Sequence, residues 1–268
     1  MTTSFASLNL TPAVLANLQQ LGYLEMTPIQ AAALPTALAG KDLIAQAKTG
    51  SGKTAAFALA LLDRLNPRRF AVQALVLCPT RELADQVTTE IRRLARAEEN
   101  IKVVTLCGGI ALRGQRASLE HGAHIVVGTP GRIMDHLERE YLNLEALNTL
   151  VLDEADRMLD MGFFEDISVV ARQCPKERQT LLFSATYPEG IAKLSQQFMK
   201  TPQTIKVQAQ HEKTSVSSQR VMMLVTSYFT LIHLNGMWLS ANCTRSTFLL
   251  TPQASACWCS GRCPISSL

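Results

Sequence analysis

The sequence predicts an α/β fold in which a mostly parallel sheet carries helices on both faces. Short apolar runs have the length and composition of strands that are buried on both sides. These runs cover residues 42–47, 74–78, 103–106, 124–127, 149–152 and 180–183. Helical patterns at residues 54–65, 82–97, 132–138 and 188–199 alternate with the later runs. Strand and helix in alternation predict parallel strands, whose ligands bind at the carboxyl ends.

Composition and charge divide the chain. Hydrophobic residues make up 47% of the 268, which suffices for a large core and excludes disorder throughout. All 22 acidic residues lie at or before Glu212, whereas four of the 26 basic residues follow it. The formal charge of +4 therefore belongs to the last part of the chain. We predict one domain over residues 1–207, a linker over 208–219 and a separate tail over 220–268.

The N-terminus and the cysteines of the domain indicate the compartment. The first ten residues have neither the cationic nor the apolar segment of a secretory signal, so a cytoplasmic location is expected. Cys78, Cys107 and Cys174 lie in or beside apolar runs, as small reduced core residues do. A disulfide framework is not expected.

A glycine-rich loop follows the first predicted strand. Gly50 and Gly52 allow successive backbone N–H groups to curl around an anion where the next helix begins. Lys53 is expected to reach the β- and γ-phosphates of a nucleotide, and the Thr54 hydroxyl to hold Mg²⁺. A plain Gly/Ser turn before a helix is the alternative. The whole loop reads Ala47, Lys48, Thr49, Gly50, Ser51, Gly52, Lys53, Thr54, with Ala47 where the general pattern has its first glycine.

An acidic tetrad, Asp153-Glu154-Ala155-Asp156, follows the fifth predicted strand. Asp153 is placed to bind Mg²⁺, largely through water. Glu154 is the candidate base for the water that attacks the γ-phosphate, so Lys53, Asp153 and Glu154 form the predicted catalytic set. Without a phosphate loop elsewhere in the chain, such a tetrad is more often the solvent-exposed start of a helix, with Asp153 or Asp156 as its N-cap residue.

These two motifs and three others, in this order, resemble the N-terminal RecA-like half of a DEAD-box RNA helicase, over about residues 4–207. The others are Pro79-Thr80-Arg81-Glu82-Leu83, Thr129-Pro130-Gly131-Arg132 and Ser184-Ala185-Thr186. The resemblance implies a RecA-like P-loop domain with ATP and Mg²⁺ as cofactors and RNA as partner. The runs at residues 74–87, 147–163 and 178–189 are most similar to family members that act on ribosomal RNA, which implies a role in ribosome biogenesis.

The resemblance extends upstream to the adenine-reading Q motif of the family. Tyr23, Thr27 and Gln30 stand at its positions, and Phe5 at that of its upstream aromatic residue. A glutamine amide has one acceptor and two donors, so Gln30 can pair with N6 and N7 of adenine together. Guanine offers no such match, which predicts ATP over GTP. Tyr23 and Phe5 are either contacts to the base or ordinary core residues.

Residues 1–212 are neutral, although RNA-binding surfaces are usually basic. Thr80 and Thr129 each stand between a strand and a helix, so each is expected to cap a helix whose free N–H groups bind phosphate. Such contacts read the RNA backbone and predict little sequence preference. Purely structural caps, with Arg132 in a salt bridge, are the alternative. The predicted RNA contacts are Pro79, Thr80, Arg81, Gly108, Gly109, Thr129, Pro130, Gly131 and Arg132.

Asp156, Ser184, Ala185 and Thr186 form the predicted coupling set. In the family, the Ser-Ala-Thr motif links the hydrolysis site to strand separation. We expect the hydroxyls of Ser184 and Thr186 near Asp153, where they can form hydrogen bonds. Without the family resemblance, the spacing of these residues would indicate only a turn.

The residues after Gln219 do not continue this pattern. The family resemblance implies a second RecA-like half, whose arginines are worth about 10³ to 10⁵ in rate. The 49 residues that follow contain no second strand and helix series. A domain needs roughly 100 to 150 residues. An ATP- and RNA-binding fragment without helicase activity is therefore the alternative to a helicase. A GTPase or transporter ATPase would leave Gln30 and the RNA motifs unexplained.

Three interpretations of residues 220–268 remain open. Residues 221–239 approach the roughly 20 residues of a membrane span but contain several polar residues. Cys243, Cys257, Cys259 and Cys263 lack the paired spacing of a zinc site. We favour translation out of frame, which would produce an acid-free stretch, or a disordered tail, and expect no membrane association.

Overall fold

The computed structural model describes residues 4–98 and 100–207, which belong to a compact unit spanning Met1–Gln210. The predicted linker and tail lie outside the described residues. Seven strands form one sheet in the order β3-β4-β2-β5-β6-β1-β7, and all its pairs are parallel. The predicted α/β fold is thus confirmed. The strands are β1 (Leu43–Gln46), β2 (Ala74–Leu77), β3 (Val103–Leu106), β4 (Ile125–Gly128), β5 (Thr149–Leu152), β6 (Gln179–Ser184) and β7 (Gln203–Lys206).

Helices cover both faces of this sheet. They are α1 (Pro12–Gln20), α2 (Pro28–Leu38), α3 (Lys53–Asp63), α4 (Arg81–Leu94), α5 (Leu112–Glu120), α6 (Pro130–Glu138), α7 (Ala155–Asp160), α8 (Phe164–Gln173) and α9 (Glu189–Phe198). Short 3₁₀ helices lie at Phe5–Ser7 and Ala95–Ala97.

The strand β2 shows why its sequence is apolar throughout. Successive side chains of a strand point to opposite faces of the sheet. Ala74 and Val76 lie in a core with residues of α2, α3 and α4, whereas Leu75 and Leu77 lie in a second core with residues of α6, α8 and α9. Both faces are buried, so the period of two that marks a half-exposed strand is absent.

Helix α4 follows from its sequence in the same direct way. Thr80 caps it, since its hydroxyl accepts a hydrogen bond from the Leu83 N–H at 3.3 Å. The buried residues Ala84, Val87, Ile91 and Leu94 recur at the spacing of one helix face. This face packs into the first of the two cores.

Several elements were not predicted. The edge strand β7 is largely exposed, so its sequence has no apolar run. Helix α2 is apolar on nearly all sides, so its sequence does not show the hydrophobic period of a helix. Helix α5 is short, largely polar and contains Gly114. Pro188, expected inside the first turn of α9, is instead its N-cap residue.

The described residues contain three free cysteines, Cys78, Cys107 and Cys174, and all three are buried. Burial raises the pKa of each thiol. Within residues 4–98 and 100–207, we find no helix that combines the length and apolar character needed to span a bilayer.

We predict that Gly128→Ala destabilises the domain by about 1–3 kcal/mol, because the added methyl overpacks the sheet. A Cβ at Gly128 would collide with the Leu106 carbonyl of the neighbouring strand and lie 2.9 Å from Ile133 Cδ1. Urea unfolding measures the effect. Gly114→Ala is the matched control, since a Cβ there meets nothing within 4 Å and alanine favours α5 by about 0.5–1 kcal/mol. Equal unfolding free energies for the two variants would contradict the prediction.

Candidate functional site

The predicted site residues lie along one edge of the sheet. Because the strands are parallel, their carboxyl ends share an edge, and the strand order divides it into two halves. The β5-β6-β1 half is followed by the phosphate loop, the acidic tetrad and the Ser-Ala-Thr motif. The β3-β4-β2 half is followed by every residue of the predicted RNA set. Residues far apart in sequence are thereby sorted into two neighbouring groups.

The phosphate loop depends on its two glycines. Gly50 has φ +78° and Gly52 has φ +93°, a region that residues with a Cβ rarely adopt. A Cβ at Gly52 would also lie 2.6 Å from Nε2 of Gln30. This backbone leads directly into α3, which begins at Lys53, so unpaired N–H groups of its first turn are available to an anion.

Lys53 and Asp153 are charged residues removed from water. Lys53 is 5% exposed, and its Nζ donates to the Ala47 carbonyl at 3.0 Å. Asp153 is 2% exposed, and burial raises its pKa to about 6, although the charge of Lys53 acts in the opposite direction. A buried carboxylate at the end of β5 therefore favours a cation beside it.

Glu154 adopts a left-handed backbone, with φ +50°, at the N-cap position of α7. Its Oε1 accepts a hydrogen bond from the Thr49 hydroxyl at 3.2 Å, which joins the tetrad to the phosphate loop. Its Oε2 lies 3.3 Å from Nη1 of Arg157. The N-cap residue is thus neither Asp153 nor Asp156, and Glu154 itself makes no side-chain capping bond. A non-glycine residue with this backbone is uncommon and concentrates at functional sites.

The arrangement fits a magnesium nucleotide. Mg²⁺ is usually held by one or two protein groups together with phosphate oxygens and water. Thr54 and Asp153 supply such a limited set, and the part of the chain that the structure describes has no group of three or more His, Cys, Asp or Glu suited to a metal. The hydroxyl of Ser51 in the loop is buried without a hydrogen-bond partner in the protein.

Gln30 is 1% exposed and links the Q motif to the phosphate loop. Its Oε1 accepts from the Thr27 N–H at 2.9 Å, and its Nε2 donates to the Gly52 carbonyl at 3.1 Å. The first of these bonds, together with the bond from the Gln30 N–H to the Thr27 hydroxyl at 3.5 Å, forms a capping box at the start of α2. One amide hydrogen and one lone pair remain for adenine, so the predicted pairing stays a prediction.

The two aromatic residues of the Q region pack in the protein. Phe5 is 4% exposed and meets Tyr23 edge to face, with ring centroids 6.4 Å apart. The Tyr23 hydroxyl donates to the Glu90 carboxylate of α4. Burial and this bond raise the pKa of Tyr23 to about 12. The geometry favours the core interpretation for both residues, and their contact with a base stays a prediction.

The Ser-Ala-Thr motif contacts Asp156. Oδ2 of Asp156 accepts bonds from the Thr186 N–H and hydroxyl, both at 2.8 Å, and from the Ala185 N–H at 3.2 Å. Partial burial opposes ionisation of Asp156, but the bonds from Thr186 outweigh it and hold its pKa below the usual value. The bond expected from the Thr186 hydroxyl to Asp153 goes instead to Asp156, a member of the predicted coupling set, whereas Asp153 lies at the end of β5 before α7 begins. The Ser184 hydroxyl is buried close to Asp156 and helps to lower its pKa, but no hydrogen bond of normal geometry joins the two groups.

The β3-β4-β2 half presents helix starts and a glycine loop. Arg81 follows the Thr80 cap; its side chain is 48% exposed, and Nε lies 3.8 Å from Oδ2 of Asp85. Gly108 and Gly109 are exposed, and Gly109 has φ +76°. Pro79 precedes the cap and is buried.

Thr129 differs from Thr80. It occupies the N-cap position of α6, with Pro130 and Gly131 in the first turn, but makes no side-chain capping bond. The expected cap is therefore correct in position and wrong in its hydrogen bond. Its hydroxyl is not committed to the helix, which leaves it available to other groups.

Arg132 is largely committed within the protein. Its Nη1 donates to the Ile110 carbonyl at 2.8 Å and to Oε1 of Gln115 at 3.0 Å, and its Nε lies 3.4 Å from Oδ2 of Asp135. Gln115 Oε1 also lies 3.0 Å from Nε2 of His136, which is fully buried. Sequence reasoning missed Gln115 and His136, whose polar helices give no motif. The network fixes the loop that carries Gly108 and Gly109, and a phosphate contact by Arg132 stays a prediction.

Comparison with known proteins identifies the relatives of this domain. Residues 27–194 match the family model "DEAD/DEAH box helicase". The chain is 61% identical over 206 residues to the ATP-dependent RNA helicase DbpA of Escherichia coli K12, covering 76% of this chain and 45% of that protein. It is 47% identical over 215 residues to the DEAD-box ATP-dependent RNA helicase CshA of Streptococcus pneumoniae serotype 4, covering 80% of this chain and 41% of that protein.

A solved structure agrees with these relatives. The crystal structure of a DEAD box protein from the hyperthermophile Methanococcus jannaschii superposes with a TM-score of 0.74 at 42% identity, over 77% of this chain and 56% of that one. The chain spans less than half the length of the curated relatives given above.

We predict that the Arg132-Gln115-His136 network makes the domain less stable at mildly acidic pH. Burial and the charge of Arg132 lower the pKa of His136, so the folded state disfavours its protonation. Its contribution to stability is complete above the unfolded pKa of about 6.5 and is lost as pH falls below that value. Urea unfolding between pH 7.5 and 5.5 should show a decline that His136→Gln reduces. His121→Gln, which removes an exposed imidazole, is the control. An unchanged decline in His136→Gln would contradict this.

Proposed function

The chain belongs to the DEAD/DEAH box helicase family, and from that premise we propose that it binds ATP, Mg²⁺ and RNA at the carboxyl edge of its sheet and serves ATP-dependent RNA unwinding. The observation that carries this proposal is the convergence of Lys53, Asp153 and Glu154 beside the phosphate loop. Ribosomal RNA as the substrate and a cytoplasmic location remain predictions.

The β5-β6-β1 half binds the nucleotide in this proposal. Backbone N–H groups of the loop and the ammonium of Lys53 hold the phosphates, and Thr54 and Asp153 hold the metal. Mg²⁺, when bound, neutralises charge on the phosphate oxygens. Glu154 accepts the proton of the attacking water as a general base. Its bond to the Thr49 hydroxyl keeps this carboxylate beside the loop until substrate takes over that position.

The β3-β4-β2 half binds the RNA backbone. Free N–H groups at the starts of α4 and α6, the half-exposed Arg81 and the Gly108-Gly109 loop meet phosphates without reading bases. This explains how a neutral domain binds a polyanion. Salt then weakens binding less steeply than for a basic surface, because fewer cationic side chains replace counterions.

Coupling between the halves runs through the Asp156-Thr186 contact in this proposal. Asp156 lies two residues after Glu154, and its carboxylate holds the loop after β6 by three hydrogen bonds. A change in the loop therefore shifts the start of α7 and the catalytic carboxylate. Thr186→Val removes one of these bonds. We expect this variant to bind nucleotide as the wild type does, but to hydrolyse it with less stimulation by RNA.

We predict that Glu154→Gln lowers RNA-stimulated ATP hydrolysis by about 10²- to 10⁴-fold, the contribution of a general base. The amide is isosteric but cannot accept the proton, so ATP binding should persist. Steady-state ATPase assays with and without single-stranded RNA measure the loss. Glu165→Gln, at the exposed start of α8, removes the same charge elsewhere.

Two outcomes of this experiment separate the competing functions. Equal RNA-stimulated turnover in wild type and Glu154→Gln would contradict the proposed base. Binding of ATP and RNA with no turnover above that of the Glu154→Gln variant would identify a binding module instead of an ATPase.

The same assay tests recognition of the base. If GTP competes with ATP as strongly as unlabelled ATP does, adenine recognition by Gln30 is contradicted.

A further inference from the structure

A cleft of about 500 Å³ opens at the opposite edge of the sheet. It lies where β1, β6 and β7 begin, next to Asp42, Gln179 and Gln203. The phosphate loop stands at the other end of β1, about 13 Å away along a four-residue strand. We call this feature the amino-edge cleft. None of the sequence motifs reaches it.

The amino-edge cleft is rich in positive charge. Lys41, Arg64, Arg178 and Lys200 line it, against two carboxylates. Both carboxylate oxygens of Asp42 accept hydrogen bonds from the backbone, one from the Thr180 N–H at 2.8 Å and the other from the Lys200 N–H at 2.6 Å.

The second carboxylate does not neutralise the cleft. Glu177 is 91% exposed at its side chain and pairs with Lys200 at 3.0 Å. Within residues 4–98 and 100–207, no salt bridge involves Lys41, Arg64 or Arg178. Three cations in one concave site thus face no carboxylate partner, which favours an anion.

Three buried polar atoms of the cleft residues lack a partner as well. They are Nε of Arg64, Nε of Arg178 and Oε1 of Gln179. Gln179 is 2% exposed, and its amide is oriented by two bonds at 2.8 Å, from Nε2 to the carbonyls of Ala37 and Lys41. These atoms are themselves buried, so they lie beneath the surface of the cleft, and what the cleft offers a ligand is the positive charge of Lys41, Arg64 and Arg178.

Arg178 is held in place before any ligand arrives. Its Nη1 donates to the Pro175 carbonyl at 2.9 Å, and its Nη2 to the Phe198 carbonyl at 3.4 Å. The guanidinium is therefore fixed by the ends of α8 and α9, while its Nε remains unpaired. A guanidinium that is already fixed loses little conformational entropy when an anion binds beside it.

We propose that the amino-edge cleft binds a small phosphorylated ligand with the size of a mononucleotide. Arginine N–H groups recognise phosphate oxygens, and Lys41 and Lys200 add charge at the rim. The volume lies within the range of small-molecule sites, and the position at the amino edge separates this site from the RNA and nucleotide halves.

Backbone amide NMR on the full chain in phosphate-free buffer tests this site. The probes are inorganic pyrophosphate, AMP and a single-stranded oligoribonucleotide. We expect saturable shifts of the Thr180 and Lys200 amides with pyrophosphate and AMP, because both amides bond to Asp42 at the cleft. Shifts at Gly50 and Gly52 report the phosphate loop separately.

Variants connect the shifts to the cleft. Arg64→Gln should weaken binding at the cleft about tenfold or more, as expected for the loss of a charged hydrogen bond. Lys41→Gln, at an exposed lysine, is a second variant that leaves the packing intact and should weaken binding severalfold. Arg172→Gln, on the exposed side of α8, removes the same charge outside the cleft and should change nothing.

Two results would overturn the proposal. One is the absence of saturable shifts at Thr180 and Lys200 with pyrophosphate and AMP. The other is a response of these amides to the oligoribonucleotide alone, which would assign the cleft to RNA phosphates. Shifts at the cleft that leave Gly50 and Gly52 unchanged would support this inference independently of the proposed nucleotide site.

Discussion

The parallel register of the sheet is the constraint on which the rest of this structure depends. Each strand pair runs in the same direction, so each strand-to-helix turn opens at one edge and each helix-to-strand return at the other. The order β3-β4-β2-β5-β6-β1-β7 then places the phosphate loop on the same half as the acidic tetrad and the Ser-Ala-Thr motif, although the predicted RNA motifs lie between them along the chain. Helix starts with unpaired N–H groups are concentrated at this edge. In the proposed function, these helix starts give a domain without net charge two places for phosphate.

The buried charges at that edge destabilise the fold, because they lose their hydration, but they attract the charged ligand of the proposed function. Lys53 at the start of α3 and Asp153 directly after β5 lie in the low-dielectric interior, where each favours a partner of opposite charge. The raised pKa of Asp153 reflects this desolvation. Gln30 adds a mechanical link, since the amide proposed to read adenine also holds the Gly52 carbonyl. The loop and the base-reading motif thus form one hydrogen-bonded unit before a nucleotide binds.

How much the sequence predicts follows from the same physics. Strands β1 to β6 are predictable because both faces of the sheet are covered, which requires apolar runs. The edge strand β7 is exposed and leaves no such signal. The phosphate loop and the tetrad come from motifs whose residue types the chemistry demands. Contacts such as Thr186 with Asp156, or Arg132 with Gln115, depend on how α5, α6 and α7 are oriented, and neither spacing nor periodicity contains that information. The amino-edge cleft escapes prediction for the same reason, since its cations come from four separate segments.

Hydrogen-exchange mass spectrometry tests the division of the carboxyl edge most directly. A non-hydrolysable ATP analogue with Mg²⁺ should protect peptides that contain Gly50–Thr54 and Asp153–Asp156, on the β5-β6-β1 half. Single-stranded RNA should protect peptides that contain Thr80–Arg81, Gly108–Gly109 and Thr129–Arg132, on the β3-β4-β2 half. Protection of the same peptides by both ligands, or by neither, would contradict two neighbouring sites on one edge.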